Sequence, residues 1–153
     1  MRIEEFRPAY AKAFKKLNVQ WIRKYFKMET SDYQSLDHPQ EYIIDKGGAI
    51  LVGLEEEQIL GVCALIPMAG DDTTMELAKM AVAKEARGRG IGRFLGQAII
   101  EKAIEFGADK LYLESNTVLT PAIHLYRKLG FKEVRGRATP YERCNIQMEL
   151  KLS

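Results

Sequence analysis

A glycine-rich loop between two apolar segments constrains the fold of this chain more than any other feature. Residues 75–82 are apolar and regular enough for a buried strand, and residues 83–86 are typical of a polar turn. Gly88, Gly90 and Gly92 then stand at every second position. Apolar residues recur after them at helical spacing: Ile91, Leu95, Ala98, Ile99, Ala103 and Phe106. The sequence therefore predicts a strand, a glycine-rich loop and a helix, in that order.

Such a loop is a favourable place to bind phosphate. Backbone N–H groups at the start of a helix have no partner within the helix, and the positive end of the helix dipole lies there. Arg87, Arg89 and Arg93 add positive charge at the same point. The net charge of the chain is only +2, which is too mild to indicate a nucleic acid partner. A small phosphate-containing ligand explains these arginines better.

Two familiar phosphate-binding loops fit this segment poorly. A P-loop ends in Gly-Lys-Ser/Thr, whereas this segment continues with Arg93-Phe94. The dinucleotide-binding fingerprint needs a third glycine three residues after the second, and Arg93 occupies that position. Glu114 could still serve as the acidic residue that this fingerprint places at the end of the next strand. A nucleotide-binding domain of Rossmann type therefore stays open as an alternative.

Two segments match a different pattern. The loop has the form Arg/Gln-x-x-Gly-x-Gly/Ala, here Arg87-Gly88-Arg89-Gly90-Ile91-Gly92. Downstream, Asn116 is followed by Ala122-Ile123-His124-Leu125-Tyr126-Arg127-Lys128-Leu129-Gly130-Phe131. In this order and spacing, the two segments resemble those that bind acetyl-CoA in the GNAT superfamily of N-acetyltransferases. The resemblance extends over residues 49–150 and is loose before them.

The resemblance implies one N-acetyltransferase domain over residues 1–153 with an α/β (α+β) fold. Its mixed, twisted sheet would have six to seven strands, flanked by about four helices. Acetyl-CoA would be the co-substrate, with no metal. The residues that the resemblance assigns to it are Met80, Ala81, Val82, Arg87, Gly88, Arg89, Gly90, Ile91, Gly92, Arg93, Asn116, Ala122 and Tyr126. Backbone N–H groups of residues 80–82 would also stabilise negative charge on the thioester oxygen, if the two parallel strands diverge there.

Tyr126 has two interpretations. It shares one face of a predicted helix with Ala122, Leu125 and Leu129, where a tyrosine is more often a core residue with its hydroxyl satisfied. The resemblance implies instead that Tyr126 is catalytic and protonates the leaving thiolate of CoA.

Glu76 also has two interpretations. Near the start of a strand, it could simply reach solvent or pair with a neighbouring charge. It precedes Arg87 by eleven residues, the spacing at which lysine-acetylating members of the superfamily carry their catalytic glutamate, so the resemblance implies a base. Strict alternation along the strand would place on one face Thr74, Glu76, Ala78, Met80 and Val82.

The identity of the acceptor substrate is the part of the predicted function that the sequence constrains least. In this superfamily the first two helices and their link line the acceptor pocket, which makes Glu29, Asp32, Tyr33 and Asp37 candidates for holding a cationic amine. The chain is short, without a long charged tail to hold a protein substrate, so we expect a primary amine on a small molecule. A protein lysine or N-terminal amine, and a module that binds CoA without turnover, stay open as alternatives.

The remaining features are consistent with this interpretation. Residues 49–54 and 59–66 predict a hairpin. Cys63 and Cys144 fit no metal spacing and indicate free thiols in a reducing cytoplasm. The first residues lack an apolar signal core, and no apolar run approaches the ~20 residues of a membrane span. A homodimer is left open.

Overall fold

The computed structural model describes residues 1–153 as a seven-stranded sheet with helices on both faces. The strands are β1 (Arg2–Glu5), β2 (Ala49–Glu55), β3 (Gln58–Met68), β4 (Asp71–Val82), β5 (Lys110–Ser115), β6 (Lys132–Val134) and β7 (Ile146–Lys151). The helices are α1 (Ala11–Tyr25), α2 (Thr30–Asp37), α3 (Ile91–Glu105) and α4 (Thr120–Leu129). The predicted fold class is confirmed. None of these helices combines the length and apolar character that crossing a membrane requires.

The strand order is β1-β2-β3-β4-β5-β7-β6, and every neighbouring pair is antiparallel except β4 and β5. The predicted hairpin is β2 and β3. The parallel pair is joined through α3, as the strand–loop–helix pattern predicts. The sheet separates two apolar cores. One packs α3 and α4 on the sheet through Leu95, Ile99 and Leu111, and the other packs α1 on the opposite face through Phe14 and Ile22.

β4 and β5 stay together over a short distance only. Their parallel register runs from Thr74 opposite Lys110 to Glu76 opposite Tyr112, and stops there. Beyond this point β4 remains paired with β3 as far as Val82, while β5 remains paired with β7 as far as Ser115. The two strands therefore diverge, and the sheet opens into a cleft between them.

A β-bulge in β4 changes which side chains face which core. Val62 of β3 pairs with Ala81, but Ala64 pairs with Ala78, so β4 has one extra residue in between. Lys79 lies in the bulge with φ +54, a left-handed conformation that is uncommon for a residue other than glycine. Strict alternation is therefore wrong for this strand: Met80 and Val82 pack with Met75 and Leu77 in the core of α3 and α4.

Gly61 of β3 allows α3 to lie close to the sheet. A Cβ atom on this residue would stand 2.8 Å from Leu95 Cδ1, 3.1 Å from Ile91 Cγ2 and 3.2 Å from the carbonyl oxygen of Ala81. Because Ile91 is the first residue of α3, this contact helps to set where the helix begins, and with it the position of the glycine-rich loop.

We predict that Gly61→Ala lowers the free energy of unfolding by about 1–3 kcal/mol, because the added methyl group overpacks the contact with α3. Gly53, the register partner of Gly61 in β2, provides the matched control. A Cβ on Gly53 would come no closer than 3.3 Å, to the flexible Met1 side chain. Urea denaturation of both variants measures the difference. Equal midpoints for the two variants would contradict the close packing at Gly61.

Candidate functional site

The opening between β4 and β5 is a cleft of about 840 Å³. It is lined by both strands, by the glycine-rich loop and the first residues of α3, by α4 and by the end of α1. Ligand pockets in proteins typically enclose roughly 300–1,000 Å³, so this cleft is large enough for a sizeable ligand. It lies outside the carboxyl end of a parallel strand pair, where open α/β sheets commonly bind their ligands.

One end of the cleft has the features of a phosphate site. Gly88 and Gly90 have φ +80 and +76, and nothing lies within 4 Å of where their Cβ atoms would be. Gly90 caps α3, so the N–H groups of the first helical turn have no partner within the helix. Arg87 and Arg93 line the cleft at this point. The predicted site residue Arg89 lies outside the lining, with its guanidinium 2.6 Å from Glu55 Oε2.

The other residues predicted to bind the cofactor line the cleft. They are Met80, Ala81, Val82, Gly88, Gly90, Ile91, Gly92, Asn116, Ala122 and Tyr126. The side chain of Asn116 already has protein partners: its Nδ2 donates to the carbonyl oxygen of Arg143 at 2.8 Å, and its Oδ1 accepts from the N–H of Val118 at 2.9 Å. Asn116 therefore joins the end of β5 to the loop before β7.

Tyr126 is buried on α4 and borders the cleft. Its ring meets Phe131 edge-on, with centroids 6.1 Å apart. Burial, with a smaller effect from Cys63, raises the pKa of the Tyr126 hydroxyl well above its usual value. The hydroxyl therefore stays protonated at any working pH and can act as a proton donor. Both interpretations of Tyr126 are compatible with its position, because the residue packs in the core and also borders the cleft.

Glu76 is a half-buried acid on the opposite side of the opening, and Glu114 of β5 lines the same region. Burial, followed by repulsion from Glu114, raises the pKa of Glu76 to about 7, although Lys79 acts against this. Glu114 accepts hydrogen bonds from the Tyr112 hydroxyl at 2.6 Å and from Thr139 Oγ1 at 2.7 Å, which hold it in place. A carboxyl with a pKa near 7 can exchange protons under physiological conditions.

A buried group of charges lies next to Glu76. Asp32 of α2 is fully buried and accepts from Lys79 Nζ at 2.5 Å and from both Nη atoms of Arg143 at 2.6 Å. Burial alone would raise the pKa of Asp32, but the hydrogen bonds from Arg143 and the charge of Lys79 lower it to about 2. Lys79 also donates to the Tyr141 hydroxyl at 3.0 Å. This Asp32 cluster (Asp32, Lys79, Tyr141 and Arg143) ties α2, the β4 bulge and the loop before β7 together.

The acidic residues proposed to hold a cationic amine do not line the cleft. Asp32 is neutralised within its cluster. Glu29 caps α2 and accepts from the N–H of Glu142 at 2.9 Å, and Asp37 pairs with Lys15 at 2.6 Å. Tyr33 is exposed. That prediction is wrong because these side chains are bonded elsewhere within the protein.

The end of the cleft near Glu76, away from the glycine-rich loop, is lined by residues that the sequence analysis missed or gave another role. They include Trp21, Tyr25 and Phe26 near the end of α1, together with Lys79, Tyr141 and Arg143. One signal could have revealed Lys79, since it is the only charged residue besides Glu76 within residues 75–82. No local pattern marks Arg143, which reaches Asp32 across 111 positions of sequence.

Comparison with known proteins places these features in context. The family described as the Acetyltransferase (GNAT) family matches residues 14–131. An uncharacterized N-acetyltransferase of Escherichia coli K12, YjgM, is 29% identical over 144 residues, which cover 92% of this chain and 86% of that protein. N-acetylaspartate synthetase of Danio rerio is 33% identical over 93 residues, covering 61% of this chain but only 33% of the synthetase.

Solved structures show the same fold. An acetyltransferase of the GNAT family from Staphylococcus aureus Mu50 superposes with a TM-score of 0.88 at 21% identity, covering 99% of both chains. The structure of yncA, a putative acetyltransferase of Salmonella typhimurium solved with its cofactor acetyl-CoA, has a TM-score of 0.76 at 18% identity, with 100% and 94% covered. These matches leave no support for the nucleotide-binding alternative.

We predict that Asp32→Asn lowers the free energy of unfolding by about 3–5 kcal/mol, because Lys79 then lacks its buried anion and Arg143 retains only the longer pair with Glu29. Since the pKa of Asp32 is about 2 in the folded protein and ~3.9 in an unfolded chain, its contribution is complete above pH ~4 and lost as pH falls towards 2. The variant should therefore lose less stability than the wild type between pH 4 and pH 2. Urea denaturation at several pH values measures both effects.

Asp37→Asn is the matched control, because it removes an acid of the same helix whose ion pair with Lys15 is partly exposed. Such pairs contribute about 0–1 kcal/mol. If the two variants were equally stable, the Asp32 cluster would have no special role in holding the fold.

Proposed function

The chain belongs to the GNAT family of acetyltransferases, and on that premise we propose that this acyltransferase moves the acetyl group of acetyl-CoA to the primary amine of a small molecule. One observation carries the proposal. The divergence of β4 from β5 brings a phosphate-type loop, a carboxyl with a pKa near 7 and a protonated tyrosine to a single cleft.

The lining of the cleft fits acetyl-CoA. The pyrophosphate is an anion, and the unpartnered N–H groups at the start of α3 with Arg87 and Arg93 supply donors and positive charge for it. Gly88 and Gly90 leave room for phosphate to approach the backbone, because no side chain covers them. Bound in this way, acetyl-CoA supplies a thioester whose carbonyl carbon an amine can attack.

Glu76 supports the first proton transfer. An alkyl ammonium group has a pKa of ~10.4 and must lose a proton before its nitrogen can attack a thioester. Glu76 lies on β4 at the last position before the strands diverge, and its carboxylate can accept this proton directly or through water. Burial and Glu114 raise its pKa to about 7, which makes the carboxylate more basic than an ordinary glutamate.

The backbone of β4 and Tyr126 support the remaining steps. Beyond Glu76, β4 has no partner on its β5 side. Backbone N–H groups of residues 77–82 that do not bond to β3 can therefore stabilise negative charge on the thioester oxygen. As the bond from nitrogen to the acetyl carbon forms and the C–S bond breaks, the Tyr126 hydroxyl can give its proton to the leaving thiolate. No acyl carrier is needed, and Cys63 is unsuited because it is fully buried with a raised pKa.

Aromatic side chains that line the cleft support a small acceptor. Trp21 and Tyr25 come from the end of α1 and Tyr141 from the loop before β7, and such rings suit a small molecule that lies against them. A peptide lysine or N-terminal amine is the rival acceptor. The cytoplasmic location that the sequence predicts stays a prediction.

Release of free CoA from acetyl-CoA, followed with a thiol reagent across amino acids, polyamines, aminosugars and lysine peptides, tests the proposal. We expect turnover with at least one small amine and no turnover by Gly90→Val, whose branched side chain would occupy the phosphate site. Gly107→Val is the matched control, since it has a similar left-handed φ of +82 and equally open surroundings but follows the other end of α3. CoA binding without release for any amine would favour the module without turnover, and higher kcat/KM for peptides than for every small amine would overturn the small-molecule acceptor.

Glu76→Gln should lower kcat by about 10²–10⁴-fold with little change in KM, because the amide cannot accept the proton. In the wild type, kcat/KM should rise as pH increases through about 7, since Glu76 must be deprotonated to act. This acid limb should disappear in Glu76→Gln. Glu114→Gln is the control: it removes the charge that raises the pKa of Glu76, so the acid limb should move to lower pH while turnover persists. An unaltered pH profile in Glu76→Gln would rule out Glu76 as the base.

Tyr126→Phe should keep the affinity for CoA and lose about 10²–10⁴-fold in kcat, because only the proton donor is removed. The ring of Phe fits the same contact with Phe131, so the fold should be retained. Calorimetric CoA binding and steady-state rates separate the two effects. A Phe variant with the wild-type kcat would return Tyr126 to a purely structural role.

A further inference from the structure

Two cations line the acceptor end of the cleft, and the chemistry proposed above uses neither of them. Lys79 comes from the β4 bulge, and Arg143 comes from the loop before β7. Their side chains are only 4% and 11% exposed. Cations this deeply buried are costly to maintain, and both border the space where an acceptor must sit to reach Glu76.

Each of these cations has more N–H donors than protein partners. Asp32 takes two bonds from Arg143 and one from Lys79, and Tyr141 takes a further one from Lys79. The guanidinium of Arg143 also lies over the Tyr141 ring, 4.3 Å from its centroid, and over the Trp21 ring at 5.5 Å. These contacts hold Arg143 in one orientation, and they leave its Nε and one N–H of Lys79 without a hydrogen-bond partner in the protein.

The counter-ions of the two cations lie away from the ligand space. Asp32 is fully buried, and Glu29 has a carboxylate oxygen 3.6 Å from Arg143 Nη1. Of these four charged residues, only Lys79 and Arg143 line the cleft. Glu76 and Glu114 present negative charge in the same region. The acceptor end therefore offers both signs of charge within one small space, which an amine carrying only a positive charge would not match.

We propose that the acceptor is an α-amino acid, whose carboxylate is bound by Arg143 and Lys79 while its amino group faces Glu76. This inference rests on the proposed function and names the substrate class of the same cleft. Arginine is well suited to a carboxylate, because its planar guanidinium presents paired N–H donors. An α-amino acid bears its amine and carboxylate on one carbon, so it can present each group to the opposite charge among residues that line one cleft.

The wall of the cleft favours an apolar side chain on this amino acid. Leu17, Trp21, Tyr25 and Phe26 line the cleft from α1 and the residue after it. Tyr25 is 45% exposed, so apolar surface is open to a ligand there. Burying an apolar side chain against these rings removes apolar surface from water and is favourable, whereas a charged side chain finds no partner among them.

Matched acceptors test the proposal on the wild-type enzyme. We would compare L-phenylalanine with phenylalaninamide and 2-phenylethylamine, and L-leucine with leucinamide and 3-methylbutylamine, using CoA release. The free acid should have a kcat/KM about 10- to 100-fold higher than either counterpart without a carboxylate, because charged hydrogen bonds to the carboxylate are lost in both. Equal values for acid, amide and amine would overturn the proposal.

Lys79→Met then tests the cation itself. This change keeps the length and the backbone requirements of the bulge, and Arg143 still neutralises Asp32. We expect the KM of the amino acid to rise about tenfold or more, so that the acid-to-amine ratio of kcat/KM falls. The ratio is the measured quantity because Lys79 also holds down the pKa of Glu76, so its loss affects the base equally for both acceptors. Lys128→Met is the control, because Lys128 also lines the cleft but makes no contact with Asp32, and its loss should leave the acid-to-amine ratio unaltered.

The outcomes separate the two proposals. No CoA release with any acceptor would contradict the proposed function itself. Turnover of simple amines or lysine peptides in preference to amino acids would leave that function standing and overturn the amino acid assignment. A Lys79→Met enzyme that loses activity equally towards acid and amine would show that Lys79 only supports the fold. The comparison of matched acceptors decides the question even if the variant does not fold.

Discussion

Everything at the site depends on the point where β4 stops pairing with β5. The two strands share a parallel register only as far as Glu76 and Tyr112, and each then follows its other neighbour. The separation leaves one edge of β4 without a partner inside the sheet. It also admits side chains from both apolar cores to a common space, so that Tyr126 and Glu76 reach one cleft from opposite sides. A continuous sheet would keep them apart.

The bulge at Lys79 and the Asp32 cluster maintain this opening. The extra residue in β4 returns Met80 and Val82 to the core of α3 and α4, and turns Lys79 towards α2. Asp32 then bonds Lys79 and Arg143 together, which fastens the loop before β7 beside the diverging strands. Buried ion pairs add little net stability on average, because desolvation opposes their attraction. Their presence here agrees with a role in orienting cations at the cleft.

The cleft has two ends of different character. At the start of α3, positive charge comes from backbone amides and arginines. The glycines there are not covered by any side chain, so a phosphate group can approach the backbone. At the other end, cations and carboxyls lie side by side against aromatic rings, which suits a ligand with both charges in a set arrangement. The shape of the first end follows from one local segment, whereas the second is assembled from α1, β4, β5 and the loop before β7.

The sequence alone determined the strand–loop–helix unit, the parallel pair, and the segments that carry the loop and Tyr126. The unit follows from local periodicity and from glycines whose positive φ is a property of a single residue, whereas the resemblance to the GNAT superfamily implied six to seven strands and about four helices. Only the tertiary structure decided that the Glu76 carboxyl has a pKa near 7 and that Asp32 binds Lys79 and Arg143. It also decided that the acidic residues in and around α2 do not line the cleft. Burial and charge neighbours cause these effects, and they come from residues as distant as Asp32 and Arg143. The bulge escaped detection for a related reason: strict alternation assumes one residue per register position, and the extra residue at Lys79 is visible only against β3.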